Sequence, residues 1–189
     1  MFRFFESIAD TLPSIKSIKR EILKHPRRGK VIDIGCGTGR NTALMTSFAD
    51  KVVGIDFDES KIIKARVRFP NVEFYHLDAA NTPFGDREFD TAFMIMFLHE
   101  ACTEGVMKEV SRISRELVIV DYSRIQYGLR KKLVRVIEGD KFDKFSEINL
   151  VTKFTGYGFV LKESRRIHQS LYVYHFINGK SGSIRYDAI

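Results

Sequence analysis

Long apolar runs, cysteines and side-chain amides are all scarce in this chain of 189 residues, and each scarcity excludes something. No apolar run approaches the ~18 residues that a membrane-spanning helix requires. Two cysteines, Cys36 and Cys102, are too few for a disulfide scaffold or for a metal site of the usual spacing, so both read as reduced thiols and no metal is expected. Glu6 and Asp10 fall where a signal peptide would be uncharged, which points to a cytoplasmic protein. Two Gln and five Asn beside so many charged residues lean toward a heat-adapted source. The chain has no internal repeat, no linker and no low-complexity tract.

What is present suits one folded domain over residues 1–189, because 44% hydrophobic residues can fill one core and the length is too small for two. A basic amphipathic segment comes first (1–29), with Ile15, Ile18 and Ile22 opposite Lys16, Lys19, Arg20 and Lys24, ended by His25-Pro26. Residues 30–122 then alternate short β-branched runs (31–34, 52–55, 72–77, 91–96 and 117–120) with helical spacing at 60–67 and 106–113. Most of these runs are apolar without alternation, as in strands covered on both faces, so the pattern predicts a parallel α/β sheet. The last part (123–189) differs. A helix over 147–155, capped by Ser146 and ended by Gly156 and Gly158, precedes two strands, 159–163 and 171–177, joined too tightly for a crossover helix. An antiparallel pair therefore closes the sheet.

The first predicted strand runs into Asp33-Ile34-Gly35-Cys36-Gly37-Thr38-Gly39, followed by a helix starting near Arg40. Three glycines in five residues let the chain turn sharply and let a ligand lie against bare backbone, so a nucleotide-like cofactor fits. A dinucleotide fingerprint would place its third glycine at position 40, which holds Arg40. Asp56 ends the second strand, placed to accept hydrogen bonds from ribose hydroxyls, and Asp78-Ala79 ends the third. Three consecutive strand ends thus offer a turn or a carboxylate at the edge where open parallel sheets bind ligands. Cys36 reads as a space-filling residue, since no His shares its loop.

VIDIGCGTGRNT, VVGIDFDES, LDAANTPFGDREFDTAF and MFLHE, taken in order, resemble the successive motifs of the class I S-adenosylmethionine-dependent methyltransferases, particularly the small enzymes acting on quinones, lipids and other metabolites. The resemblance covers about residues 30–122 and implies a Rossmann-like, doubly wound, mainly parallel sheet with an antiparallel C-terminal strand. It implies that Asp33, Gly35, Gly37 and Gly39 hold the methionine part of S-adenosylmethionine, or of its product S-adenosylhomocysteine, and line that pocket. By the same resemblance Asp56 binds ribose, Phe57 packs on adenine, Asp78 and Ala79 meet the adenine edge, and Met96 and Phe97 lie near the methyl donor. Asp90 resembles the family's structural acid.

Methyl transfer from a sulfonium is an in-line displacement that mainly requires alignment and exclusion of water. A base is needed when the acceptor loses a proton, and His99 and Tyr122, beyond the fourth and fifth strands, are placed to supply one. His99 reads equally well as a buried histidine satisfied by the backbone. No Asn-Pro-Pro-Tyr-like motif follows the fourth strand and no motif cysteine pair is present, so neither an amide-type nitrogen nor a covalent RNA cytosine mechanism is expected. The leading expectation is methylation of a small molecule. A net charge of +7 keeps an RNA methyltransferase in view, and a non-catalytic S-adenosylmethionine-binding partner protein is the reading from another class. Basic residues at 124–135 and at 165–168 would rim the acceptor entrance and favour an anionic acceptor. The same side chains could instead pair with Glu138, Asp140 and Glu163. The oligomeric state is not legible in the sequence.

Overall fold

The computed structural model describes residues 13–24, 29–122, 149–168 and 171–179. Seven strands form one sheet in the order β3-β2-β1-β4-β5-β7-β6. They are β1 (Lys30–Ile34), β2 (Lys51–Asp56), β3 (Glu73–His76), β4 (Phe89–Ile95), β5 (Ser114–Tyr122), β6 (Phe159–His168) and β7 (Leu171–Asn178). The first five run parallel, β7 lies antiparallel to both β5 and β6, and β6 therefore points the same way as the first five. The helices are α1 (Pro13–Lys24), α2 (Arg40–Met45), α3 (Glu59–Arg68), α4 (Leu98–Ala101), α5 (Glu104–Ile113) and α6 (Leu150–Gly156). This is the doubly wound, mainly parallel sheet that the alternating sequence predicts.

Strand periodicity sorts the apolar runs onto two faces. Ile32, Ile34, Val53, Ile55, Ala92, Met94, Leu117 and Ile119 pack under Val106, Met107 and Val110 of α5 and Phe154 of α6. The intervening residues, Val31, Val52, Phe93, Ile95, Val118 and Val120, pack on the opposite face with Ile18 and Ile22 of α1 and Met45 of α2. Both faces are covered, which is why these runs show no polar alternation.

Element ends follow local chemistry. Asp58 caps α3, and the hydrogen bond its carboxylate accepts from the Ser60 hydroxyl, with those from the amides of Lys61 and Ser60, holds its pKa below the ordinary aspartate value. Asn149, not Ser146, caps α6; Ser146 and most of the expected N-terminal turn lie outside the described residues. The edge strand β6 runs five residues past its expected end, over 164–168, where Ile167 is the one apolar residue and no apolar pattern exists. Charged side chains and two register shifts mark it as a guarded edge rather than a template for further pairing. Arg165, Arg166 and His168 thus belong to β6 itself, not to the connection after it. Among the described residues no helix is long and apolar enough to cross a membrane.

One close contact fixes the sheet near its ligand edge. A Cβ added at Gly54 would sit 2.6 Å from the ring of Phe74, and the same ring lies 2.6 Å from where a Cβ at Gly39 would stand. Gly54 has an ordinary strand conformation, so Gly54→Ala tests sterics alone. It is expected to lower stability by ~1–3 kcal/mol in urea unfolding, the scale of core overpacking, and Phe74→Leu in the same chain should recover part of that loss.

Candidate active site

The chain ends of β1 to β4 meet around a cleft of about 420 Å3. Gly35 and Gly37, just past β1, form one wall, and Asp56 and Phe57 leave the end of β2. Asp78 and Ala79 follow β3, Met96 and Phe97 follow β4, and Ala101 and Val106 add apolar wall beside Glu100. Among the described residues the lining holds one ammonium, Lys61 in the first turn of α3, and three carboxylates, Asp56, Asp78 and Glu100. Among the described residues no group of acidic, histidine and cysteine side chains could hold a metal.

The glycine loop owes its path to its neighbours. The amides of Gly35 and Cys36 both donate to the carbonyl of Ile55 at 2.9 Å, and the Gly37 amide donates to Asp56 Oδ2 at 2.8 Å. Asp56 Oδ1 accepts from the Asp58 amide at 2.9 Å, so one carboxylate joins the loop after β1 to the turn after β2. Gly35, Gly37 and Gly39 all have positive φ. A Cβ at Gly35 would stand 2.3 Å from the Phe97 ring, whereas one at Gly37 would meet nothing within 4 Å and would project into open space. Gly37 is therefore the glycine that leaves room for a ligand against bare backbone.

Asp33 and Gly39 do not line this cleft. Gly39 faces Phe74 and Ala65, and it is glycine because α3 and β3 pack there. Asp33 is buried under the loop and accepts from Thr42 Oγ1 of α2 at 2.6 Å. Burial raises its pKa to about 6, opposed by the Thr42 hydrogen bond and reinforced by the nearby Asp56 charge. Cys36 fills the space between Ile62, Ala65 and Phe74, and burial pushes its thiol pKa up, which leaves it inert at neutral pH.

Phe57 is 75% exposed and lies edge-on to His76, whose Nε2 is 2.9 Å from the Phe57 carbonyl oxygen. Few contacts hold the ring on its cleft side, as suits a platform for a flat ligand. Asp78 Oδ1 accepts from the Ala80 amide at 2.8 Å, which sets the turn after β3. Farther along that turn, Thr82 donates through both its amide (2.9 Å) and its hydroxyl (2.6 Å) to Glu109 Oε1 of α5. Although burial opposes ionisation, Arg112 and Thr82 together hold Glu109 below its ordinary pKa. No sequence motif announces this tether. Met96 has φ 55, rare for a side chain of its size, and its amide donates to the Val120 carbonyl at 2.8 Å.

His99 is buried outside the cleft lining. Its Nδ1 is 2.8 Å from Asp121 Oδ1, while Asp121 Oδ2 accepts from the Leu98 amide at 2.8 Å. Its Nε2 lies 3.9 Å from Glu100 Oε1, and Glu100 does reach the cleft. Tyr122 closes β5 opposite Leu171, and its side chain lies outside the described residues. Asp90 is at the far end of the sheet, accepting from the Lys30 amide at 2.8 Å, in keeping with a structural role.

Residues 31–117 match the family model described as a methyltransferase domain. The matched stretch is a little under half of this chain. An O-methyltransferase of Penicillium expansum is 32% identical over 108 residues, 51% of this chain and 39% of that protein. A trans-aconitate 2-methyltransferase of Acidovorax sp. is 31% identical over 83 residues, 43% of this chain and 31% of that protein. The chain thus spans well under half the length of these curated relatives. Magnesium protoporphyrin IX methyltransferase from Synechocystis, solved with bound SAH, shares the fold at a TM-score of 0.67 and 16% identity, covering 87% of this chain and 82% of that one. The cleft lies at strand ends within the matched stretch, beside this chain's own glycine loop and its two acidic turns.

The buried acid under the loop gives a pH test. In the unfolded chain Asp33 loses its proton near 3.8, but in the folded protein only near 6, so between those values the native state holds the extra proton and stability falls as pH rises. The loss amounts to ~3 kcal/mol by about pH 7. Asp33→Asn keeps an acceptor for Thr42 without the charge, so urea unfolding at pH 4.5 and 7.5 should show the variant gaining on the parent at the higher pH. Parallel changes in the two proteins would contradict the burial of a charge there.

Proposed function

We propose that this chain transfers the methyl group of S-adenosylmethionine to a small-molecule acceptor by in-line displacement. The observation that carries the reading is the cleft itself. A glycine with open space above it, the Asp56 carboxylate, the exposed Phe57 ring and the Asp78-Ala79 turn lie together at consecutive strand ends. When bound, S-adenosylmethionine supplies an electrophilic methyl on a cationic sulfur. Three carboxylates against one ammonium suit that cation. In this reading Gly35 and Gly37 border the methionine part, Asp56 accepts from the ribose hydroxyls, Phe57 faces adenine, and Asp78 and Ala79 meet its edge. Met96 and Phe97 screen the methyl from water. Asp33 and Gly39 act from behind, by holding α2 and α3 under the loop.

His99 is assigned a positioning role: through Asp121 it fixes the short helix α4, which presents Glu100 and Ala101 to the cleft. Transfer to a small molecule draws support from the modest cleft and from the relative named for trans-aconitate. An anionic acceptor rests on less. Arg165 is held by Glu21 and Glu163, and Arg124, Arg130, Lys131, Lys132 and Arg135 lie outside the described residues. Free Cys36 and Cys102 accord with a cytoplasmic setting.

Calorimetry with S-adenosylmethionine tests the reading directly. Asp56→Ala is expected to weaken binding by ~1.5–3 kcal/mol, the scale for losing a charged hydrogen-bond acceptor. Phe57→Ala should weaken it by ~1 kcal/mol through lost stacking. Full affinity in a folded Asp56→Ala protein would remove the ribose assignment.

A further inference from the structure

The outermost helix carries a charge arrangement that neither the cleft nor the core uses. On its inner side α1 buries Ile18 and Ile22 against the sheet, and its one acid, Glu21, is buried and paired with Arg165. On its outer side Lys16, Arg20 and Lys24 are exposed and follow one another at four-residue steps. Residues so spaced stack on one helix face, so the three cations form a row roughly 12 Å long. No ion pair joins any of them to another described residue. Like charges at this spacing destabilise a helix. The row therefore weakens α1 unless an anion sits along it.

We infer that the outer face of α1 docks the phosphate backbone of single-stranded RNA. A linear row of cations reads charge rather than sequence, and its three members can each meet a phosphate of one strand. A membrane surface fits less well. A helix lying on lipid must offer an apolar face, whereas α1 commits Ile18 and Ile22 to the core, 4% and 1% exposed, and shows one large apolar side chain, Leu23, beside the cations. The helix packs against α2, which begins directly after the glycine loop, so a docked strand would lie on the sheet face of the helix that supports the cleft. The surface is separate from the cleft lining and does not rest on the methyl-transfer reading.

Fluorescence anisotropy with a labelled 20-nucleotide polyuridine RNA, from 0.05 to 0.3 M KCl, tests the inference. The parent protein should bind with a salt-dependent affinity. Lys16→Gln, Arg20→Gln and Lys24→Gln together should weaken binding by at least ~10-fold at 0.1 M salt and flatten the log–log salt slope by about 2, the expectation for three single-strand phosphate contacts. Glutamine is a good helix former, so the thermal midpoint of that variant should not fall. Lys64→Gln, Lys108→Gln and Lys153→Gln together remove the same charge from exposed positions elsewhere and should change affinity less than ~3-fold. Lys16→Arg, Arg20→Lys and Lys24→Arg together should bind as the parent does. Absence of RNA binding, equal losses in the two glutamine variants, or binding to vesicles of 30% phosphatidylserine without binding to RNA would each overturn the inference. S-adenosylmethionine affinity, measured alongside, should be the same in all four proteins, whatever the RNA result.

Discussion

Two aromatic rings press on the glycine loop from different sides, and the shape of the ligand edge follows from that pressure. Phe97 occupies the place of a side chain at Gly35, and Phe74 occupies the place of side chains at Gly39 and Gly54. Between them only Gly37 opens onto free space, with its amide fixed by Asp56. The three motif glycines, which look equivalent in the sequence, therefore do different work. Two admit rings that lock the loop to β3 and β4, and one keeps the floor of the cleft bare.

Carboxylates divide along similar lines. Asp33, Glu109 and Asp121 are buried, and each accepts from groups that would otherwise leave a loop or helix end free: Thr42 of α2, the amide and hydroxyl of Thr82, and the Leu98 amide with the His99 ring. Asp78 and Glu100 are exposed, Asp56 is half-buried, and these three face the cleft. Buried acids need hydrogen-bond donors to offset lost hydration, so they sit where backbone donors are available and rigidify the frame. The more solvated acids keep oxygen lone pairs available for a ligand.

The parallel core was legible because strands buried on both faces must be apolar throughout, and the glycine loop because three glycines so close together have few structural reasons. Asp56 and Asp78 were legible from their places at strand ends, and Phe57 and Met96 through the family resemblance. Where the reading stopped, physical causes are visible. The far half of β6 is a charged edge strand and carries no hydrophobic period. Asp33 and Gly39 share a motif with cleft residues but point away from the cleft, and only three-dimensional packing separates the two groups. The Thr82–Glu109 tether and the Lys61 and Glu100 linings join residues across α5, α3 and α4 that no local pattern links.

The ion pair between Glu21 and Arg165 spans 144 positions of chain. Helix α1 thus acquires this partner only from β6, after β1 to β5 have been synthesised. During vectorial synthesis on the ribosome α1 lacks this anchor until late. A nascent chain stalled before residue 165 would display α1 without the ion pair that Glu21 makes in the finished protein.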